Sequence, residues 1–216
     1  MQWLKDWFDL IIHLNIHLDD LSVQYGPWIY LLLFLIVFSE SGIFLTPFLP
    51  GDALLFTVGA LAGSGTHIEL LIVLILLPLA AIVGYIVNYW IGQTFAKHLF
   101  TNPNARVLNP KHLDQTHAFF QRHGAKAVFL ARYLPMLRTF TPLVAGMGSM
   151  DYKRFIFYTL VGGIVWVTSV VLLGYFFGGI PYVQKNFSLV ILAIIVISMI
   201  PPGIEVARAW LAKPTK

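Results

Sequence analysis

Two stretches of this chain are apolar enough for a lipid bilayer yet are broken by residues that a lipid-facing helix does not collect. The first, SESGIFLTPFLPGDALLFTVGALAGSG (39–65), contains Glu40, Pro47, Pro50, Gly51, Asp52, Gly59 and Gly63. The second, AVFLARYLPMLRTFTPLVAGMGSM (127–150), contains Arg132, Pro135, Arg138, Pro142 and Gly146. In hydrocarbon every backbone polar group must be satisfied internally, so irregular backbone survives at membrane depth only where protein buries it or it lines a cavity. Both stretches are therefore read as re-entrant helical hairpins.

The composition supports a membrane setting. Of 216 residues, 58% are hydrophobic and 11% charged, against about 25% charged in soluble domains, and the mean hydropathy is +0.77. Cysteine is absent, which excludes disulfides, thiolate metal sites and cysteine nucleophiles. The N-terminal segment MQWLKDWFDLIIHLNIHLDD lacks the basic-then-apolar order of an export signal. One membrane domain over 1–216 is expected.

Along the chain, Trp3, Trp7, Leu10, Ile11, Leu14 and Leu18 recur at helical spacing. Residues 1–25 are read as an interfacial amphipathic helix, closed by a break and aromatic anchor at Tyr25-Gly26-Pro27-Trp28. Full spans are expected near 28–44, 68–92, 155–178 and 187–207. Residues 95–126 form an aqueous basic loop, with a turn at 102–109 and a short helix over 110–123. A short loop around Pro181 and Lys185 separates the last two spans.

If both hairpins return to their own side, the termini and the 95–126 loop share one face. That face holds Lys5, Lys97, Arg106, Lys111, Arg122, Lys126, Lys153, Arg154, Arg208, Lys213 and Lys216, and the opposite face holds Lys185 alone. Such a bias places both termini in the cytoplasm. The hairpin-plus-span segments 39–92 and 127–178 then form halves of opposite topology, the arrangement that points to a transporter site near the midplane. The expected fold is all-α and polytopic: two inverted repeats, each with a re-entrant hairpin and a spanning helix, between an N-terminal amphipathic helix and a C-terminal span.

An ionised side chain at membrane depth costs on the order of 3 kcal/mol on insertion scales, so it marks a functional site by default. In a straight helix Arg132 and Arg138 would lie roughly 240° apart. Pro135 between them breaks the helix and lets both guanidiniums turn to one point, where they suit a phosphate. They are the candidate substrate-binding residues. Glu40 and Asp52 are the candidate proton-coupling residues, because intramembrane carboxylates build proton relays. Pro50, Gly51, Pro135 and Pro142 are the candidate hinges and helix breaks. Asn88 is a candidate cavity-lining residue, with an interhelical hydrogen bond as the equal alternative. The plainer reading of the four charges is mutual pairing that only holds the hairpins together.

Other features have ordinary explanations. Gly59-x-x-x-Gly63 and Gly174-x-x-x-Gly178 are helix-packing patterns. His13 and His17 lack further ligands for a metal, and His112, His117 and His123 are read as loop histidines. Glu205 and Arg208 form a local pair. The chain has no Walker loop, H-E-x-x-H or G-x-S-x-G motif, so no enzymatic activity, cofactor or metal is expected.

E-S-G-x-x-x-T-P-x-L-P-G-D (Glu40 to Asp52), followed by A-R-Y-L-P-M-L-R-T-F-T-P-L-V-A-G (Ala131 to Gly146), strongly resembles the DedA family of bacterial inner-membrane proteins. The resemblance takes in the segment from Gly84 to Gly92 and Gly162-x-x-x-Trp166. It implies membrane-potential and proton homeostasis and, in some members, return of undecaprenyl phosphate to the cytoplasmic leaflet. Distant eukaryotic relatives with the VTT domain scramble phospholipids. The family's membrane-embedded acids and arginines map onto Glu40, Asp52, Arg132 and Arg138.

The expectation is a lipid transporter of the bacterial inner membrane linked to the proton motive force. Its partners are an anionic, phosphate-bearing lipid and protons, with no nucleic acid, and homo-oligomerisation is left open. The alternative is a proton-coupled cation or drug antiporter in which the carboxylates take the substrate. A lipid phosphatase would need a nucleophile beside the arginines and a later catalytic histidine, neither of which is evident. An assembly factor would leave the four charges without a task.

Overall fold

A computed structural model describes residues 14–42, 51–99, 120 and 123–196. The expectations for residues 1–13, for most of the 95–126 loop and for the chain beyond residue 196 lie outside these residues, as do Pro47 and Pro50. The described residues are helical, without strands. Helix α1 spans Leu14–Tyr25, and Gly26 turns the chain in the left-handed region at φ 53°, which glycine adopts without steric penalty. Helix α2 follows over Trp28–Gly42, α3 over Gly51–Gly63 and α4 over Leu70–Leu99.

The second interrupted segment is built from short pieces. A 3₁₀ turn over Gly124–Lys126, helix α5 at Ala127–Leu130 and a second 3₁₀ turn over Ala131–Tyr133 lead to an extended Leu134. Helix α6 covers Pro135–Val144 and opens into a π-helical turn at Ala145–Ser149. Helix α7 then spans Tyr152–Phe177, with the Asp151 carboxylate accepting from the Arg154 amide at its N-terminus. Where the sequence suggested a loop around Pro181, Pro181–Lys185 forms a short helix, α8, because proline's fixed φ suits a first helical turn. Helix α9 runs from Phe187 to Val196.

Among the described residues two helices are long and apolar enough to cross a bilayer: Leu70–Thr94 within α4, at 25 residues, and α7, at 26. At 1.5 Å per residue they reach roughly 37–39 Å, beyond the hydrocarbon thickness of about 30 Å. Helices α2 and α3, of 15 and 13 residues, reach only about 20–22 Å. Large apolar side chains face outward on both long helices, among them Leu71, Ile75, Phe157 and Phe176. A contiguous apolar surface of this kind belongs against lipid.

Backbone contacts at glycines set the packing. Helix α2 lies along α4, where a Cβ on Gly84 would come 2.8 Å from Ser41 Cβ and 2.9 Å from the Gly42 nitrogen. Helix α3 packs chiefly along α7 rather than along α4, its neighbour in sequence. There Gly59 and Gly63 face the carbonyls of Val171 and Tyr175, while Gly174 and Gly178 face Phe56 and Ala60 in return. The two small-residue patterns are thus opposite sides of one interface, as close helix approach demands. Gly92 on α4 and Gly146 in the π turn make the same kind of contact, against Leu143 and Tyr89. Phe187 and Ile191 of α9 cover the other face of α3, beside Ala53, Phe56 and Ala60. Leu14 and Leu18 tie α1 into the main core.

Gly174→Leu should therefore lower stability by about 1–3 kcal/mol, the usual penalty for overpacking. Lipid-facing Leu71→Ala should lie within about 0.5 kcal/mol of wild type. Thermal unfolding of the detergent-solubilised protein reads both, and equal behaviour of the two variants would contradict the glycine interface.

Candidate functional site

Glu40 lies in the last turn of α2 and Asp52 in the first turn of α3, and these two helix ends put both acids at one place. Arg138 reaches them from the first turns of α6. Its Nη2 pairs with Glu40 Oε1, and its Nη1 donates to Asp52 Oδ1 at 3.2 Å. The indole of Trp166 on α7 covers the guanidinium, with the ring centroid 4.7 Å from Cζ. Glu40 is buried, and the side chains of Arg138 and Asp52 are 13% and 24% exposed. Removing one partner from a buried pair of this kind costs about 3–5 kcal/mol, because a charge is left uncompensated.

Gly51 is required by space. A Cβ there would fall inside the Glu40 carboxylate. The bare backbone at the start of α3 lets the carboxylate settle at a helix N-terminus, where the helix dipole favours negative charge.

Arg132 stands apart from the acids. The break falls at Leu134, with Pro135 as the first residue of α6, and it turns Arg132 onto the face of Tyr85, 3.8 Å from ring centroid to Cζ. Its Nη2 donates to the Thr159 carbonyl at 3.3 Å. Arg132 is only 1% exposed, and its Nε and Nη1 have no hydrogen-bond partner among the described residues. Gly162 gives the side chain room: a Cβ there would sit 3.1 Å from Arg132 Cδ and Nε. Thr159, Gly162, Gly163 and Trp166 share one stripe of α7 at spacings of three and four, so a single helix face backs both arginines.

Pro142 does not end a helix. It lies inside α6, where it lacks the N–H that would bond the carbonyl of Arg138, four residues back. The Tyr85 hydroxyl donates to that carbonyl at 2.9 Å. A buried polar group left without this bond costs about 1–3 kcal/mol. One turn along α4, Asn88 Nδ2 donates to the carbonyls of Thr139 at 3.1 Å and Ser41 at 3.4 Å. Asn88 thus staples the acid-bearing helix to the arginine-bearing one, although its Oδ1 is buried without a partner among the described residues. No cluster of three or more metal-ligating side chains occurs among the described residues.

The structure therefore brings Glu40, Asp52 and Arg138 into one ion cluster and sets Arg132 beside it, without an acid partner among the described residues. Sequence reasoning missed Tyr85 and gave Trp166 no role. The available signal was a phenol and an indole in mid-span, whereas such rings usually gather at the membrane interfaces. Gly51→Ala is expected to displace the Glu40 carboxylate and weaken its pairing with Arg138. A double-mutant cycle of Glu40→Gln with Arg138→Lys in thermal unfolding should show less coupling, by more than about 0.5 kcal/mol, in the Gly51→Ala background. Unchanged coupling would contradict the role given to Gly51.

Comparison with known proteins agrees with the sequence resemblance. Residues 49–176 match the family model described as the VTT domain. Protein DedA of Escherichia coli K12 is 48% identical over 201 residues, covering 93% of this chain and 92% of the relative. The uncharacterized membrane protein ML0287 of Mycobacterium leprae is 40% identical over 175 residues, covering 81% and 77%. The inner membrane protein YqjA of Escherichia coli K12 is 34% identical over 161 residues, covering 73% and 71%. No solved structure matches the chain. With these matches along most of its length, the chain belongs to the DedA family of VTT-domain membrane proteins.

Proposed function

We propose that this protein moves an anionic, phosphate-bearing lipid, undecaprenyl phosphate or a close relative, between the leaflets of the bacterial inner membrane, with protons entering at Glu40 and Asp52. Residues 39–65 and 127–150 act as re-entrant hairpins in two halves of opposite topology, and both termini lie in the cytoplasm.

The observation that carries this reading is the unequal state of the two arginines. Arg138 is held by two carboxylates, while Nε and Nη1 of Arg132 are buried without hydrogen-bond partners among the described residues. With all four side chains ionised the formal charges cancel. A phosphate entering this site adds negative charge to a low-dielectric region, where uncompensated charge is strongly unfavourable. A proton taken up by Glu40 or Asp52 restores the balance and frees Arg138 to join Arg132 on the phosphate. The antiporter alternative is less favoured, because a cation would have to displace Arg138 from both acids.

Leaflet-specific labelling of undecaprenyl phosphate in proteoliposomes tests the proposal. Transport should fall at least about ten-fold in Arg132→Lys, since lysine keeps the charge but loses the guanidinium fork. Arg138→Ala should be inactive, and an imposed pH gradient should change the wild-type rate. Equal transport by wild type and both variants would overturn the lipid reading with these residues, and indifference to the gradient would remove the acids from their role.

A further inference from the structure

We propose that Tyr85 is a positioning residue that couples the two arginines. Its ring carries the Arg132 guanidinium and its hydroxyl holds the backbone from which Arg138 projects. A change in the Arg138 ion cluster therefore reaches Arg132 through one side chain. The functional meaning of this coupling rests on the reading of Arg132 as a hydrogen-bond donor to the phosphate.

The geometry leaves Tyr85 few alternatives. It is fully buried on α4. Its hydroxyl meets the Arg138 carbonyl at 2.9 Å, the acceptor whose usual donor four residues on is missing at Pro142. Its ring centroid lies 3.8 Å from Arg132 Cζ, well inside cation–π range. The rotation of the phenol is thus fixed by α6 at one end and read by Arg132 on its face. Arg132 has a second tether, the Thr159 carbonyl of α7, and α6 has a second one in Asn88. Neither of these groups touches both arginines.

Among the described residues, the charged groups around this device are Glu40 from α2, Asp52 from α3 and the two arginines themselves, with Trp166 of α7 across the Arg138 face. When one carboxylate releases Arg138, the guanidinium is left with the other alone and shifts towards it, and the first turns of α6 take up the change. The carbonyl of Arg138 lies in those turns, so Tyr85 follows it and the support under Arg132 shifts. A tyrosine that merely filled space and satisfied a carbonyl would affect folding but would not transmit this shift.

Side-chain nitrogen-15 NMR of the full chain in nanodiscs separates the two roles without any substrate. The Arg132 Nε–H signal is identified by its loss in Arg132→Lys, and its displacement on Glu40→Gln is then measured with and without Tyr85→Phe, which keeps the ring and removes the hydroxyl. The displacement should be at least about three-fold smaller in the Tyr85→Phe background, the signature of a broken coupling. An equal displacement in both backgrounds overturns the proposal. Should Tyr85→Phe fail to fold, Pro142→Ala supplies the missing backbone donor, and the same comparison is made between Pro142→Ala and the double variant.

Transport forms a separate arm. With undecaprenyl phosphate in proteoliposomes, Tyr85→Phe should lower the maximal rate about ten-fold and leave the half-saturating lipid concentration within about two-fold. A wild-type rate in Tyr85→Phe overturns the coupling. A wild-type protein that moves none of this lipid sinks the proposed function instead, and the NMR result still decides whether Tyr85 couples the arginines.

Discussion

The ion cluster of Arg138 with Glu40 and Asp52 is the contact on which the arrangement of this protein turns. Three separate helices supply its members: α2 carries Glu40, α3 carries Asp52 and α6 carries Arg138. In a low-dielectric interior such a cluster adds little net stability over a well-packed apolar core, yet it is costly to break on one side only. Its value therefore lies in specificity: it dictates where the end of α2, the start of α3 and the first turns of α6 must meet. The same property makes it sensitive to a single proton, because neutralising one carboxylate removes one of the two ties on Arg138.

Two prolines on either side of Arg138 set the geometry by different means. Pro135 follows the extended Leu134 and begins a new helix, so Arg132 and Arg138 belong to helical pieces with different axes. Pro142 leaves the helix continuous but strips it of a donor, and the vacancy is filled from α4 by Tyr85. The break separates the arginines, and the missing donor gives a neighbouring helix its hold on one of them. Beyond Pro142 the chain widens into the π turn, a form that often marks functional segments. There Gly146 meets the backbone of α4.

The sequence made some of this legible and hid the rest for identifiable reasons. Glu40, Asp52 and Arg138 could be singled out together because charge at membrane depth is expensive wherever it occurs, and the structure pairs them. The two glycine patterns could be read as packing surfaces, although not as partners of one another, since pattern gives no address. That α3 crosses to α7 was not legible: a 13-residue helix apolar on nearly all sides carries no periodic face to name its neighbour. Gly51 could be named as a hinge, but what it does for Glu40 could not be read, nor could the contacts of Tyr85, for a related reason. Each matters through an approach in space, of a carbonyl 53 residues away for Tyr85 and of the Glu40 carboxylate for Gly51. The convergence of both arginines on one point was expected from the break at Pro135, whereas the break places Arg132 on Tyr85 and Arg138 among the acids.

The glycine contacts have a mechanical consequence. Helices α2 and α4 form one backbone-to-backbone pair and α3 and α7 another, and within each pair the fit is too close for the partners to separate without losing it. They behave as two leaves, joined along a spine where α4 meets α7. Glu40 belongs to the first leaf and Asp52 to the second, and Arg138 holds both. A clasp made of charge, between leaves closed by packing, can be opened by chemistry that leaves each leaf intact.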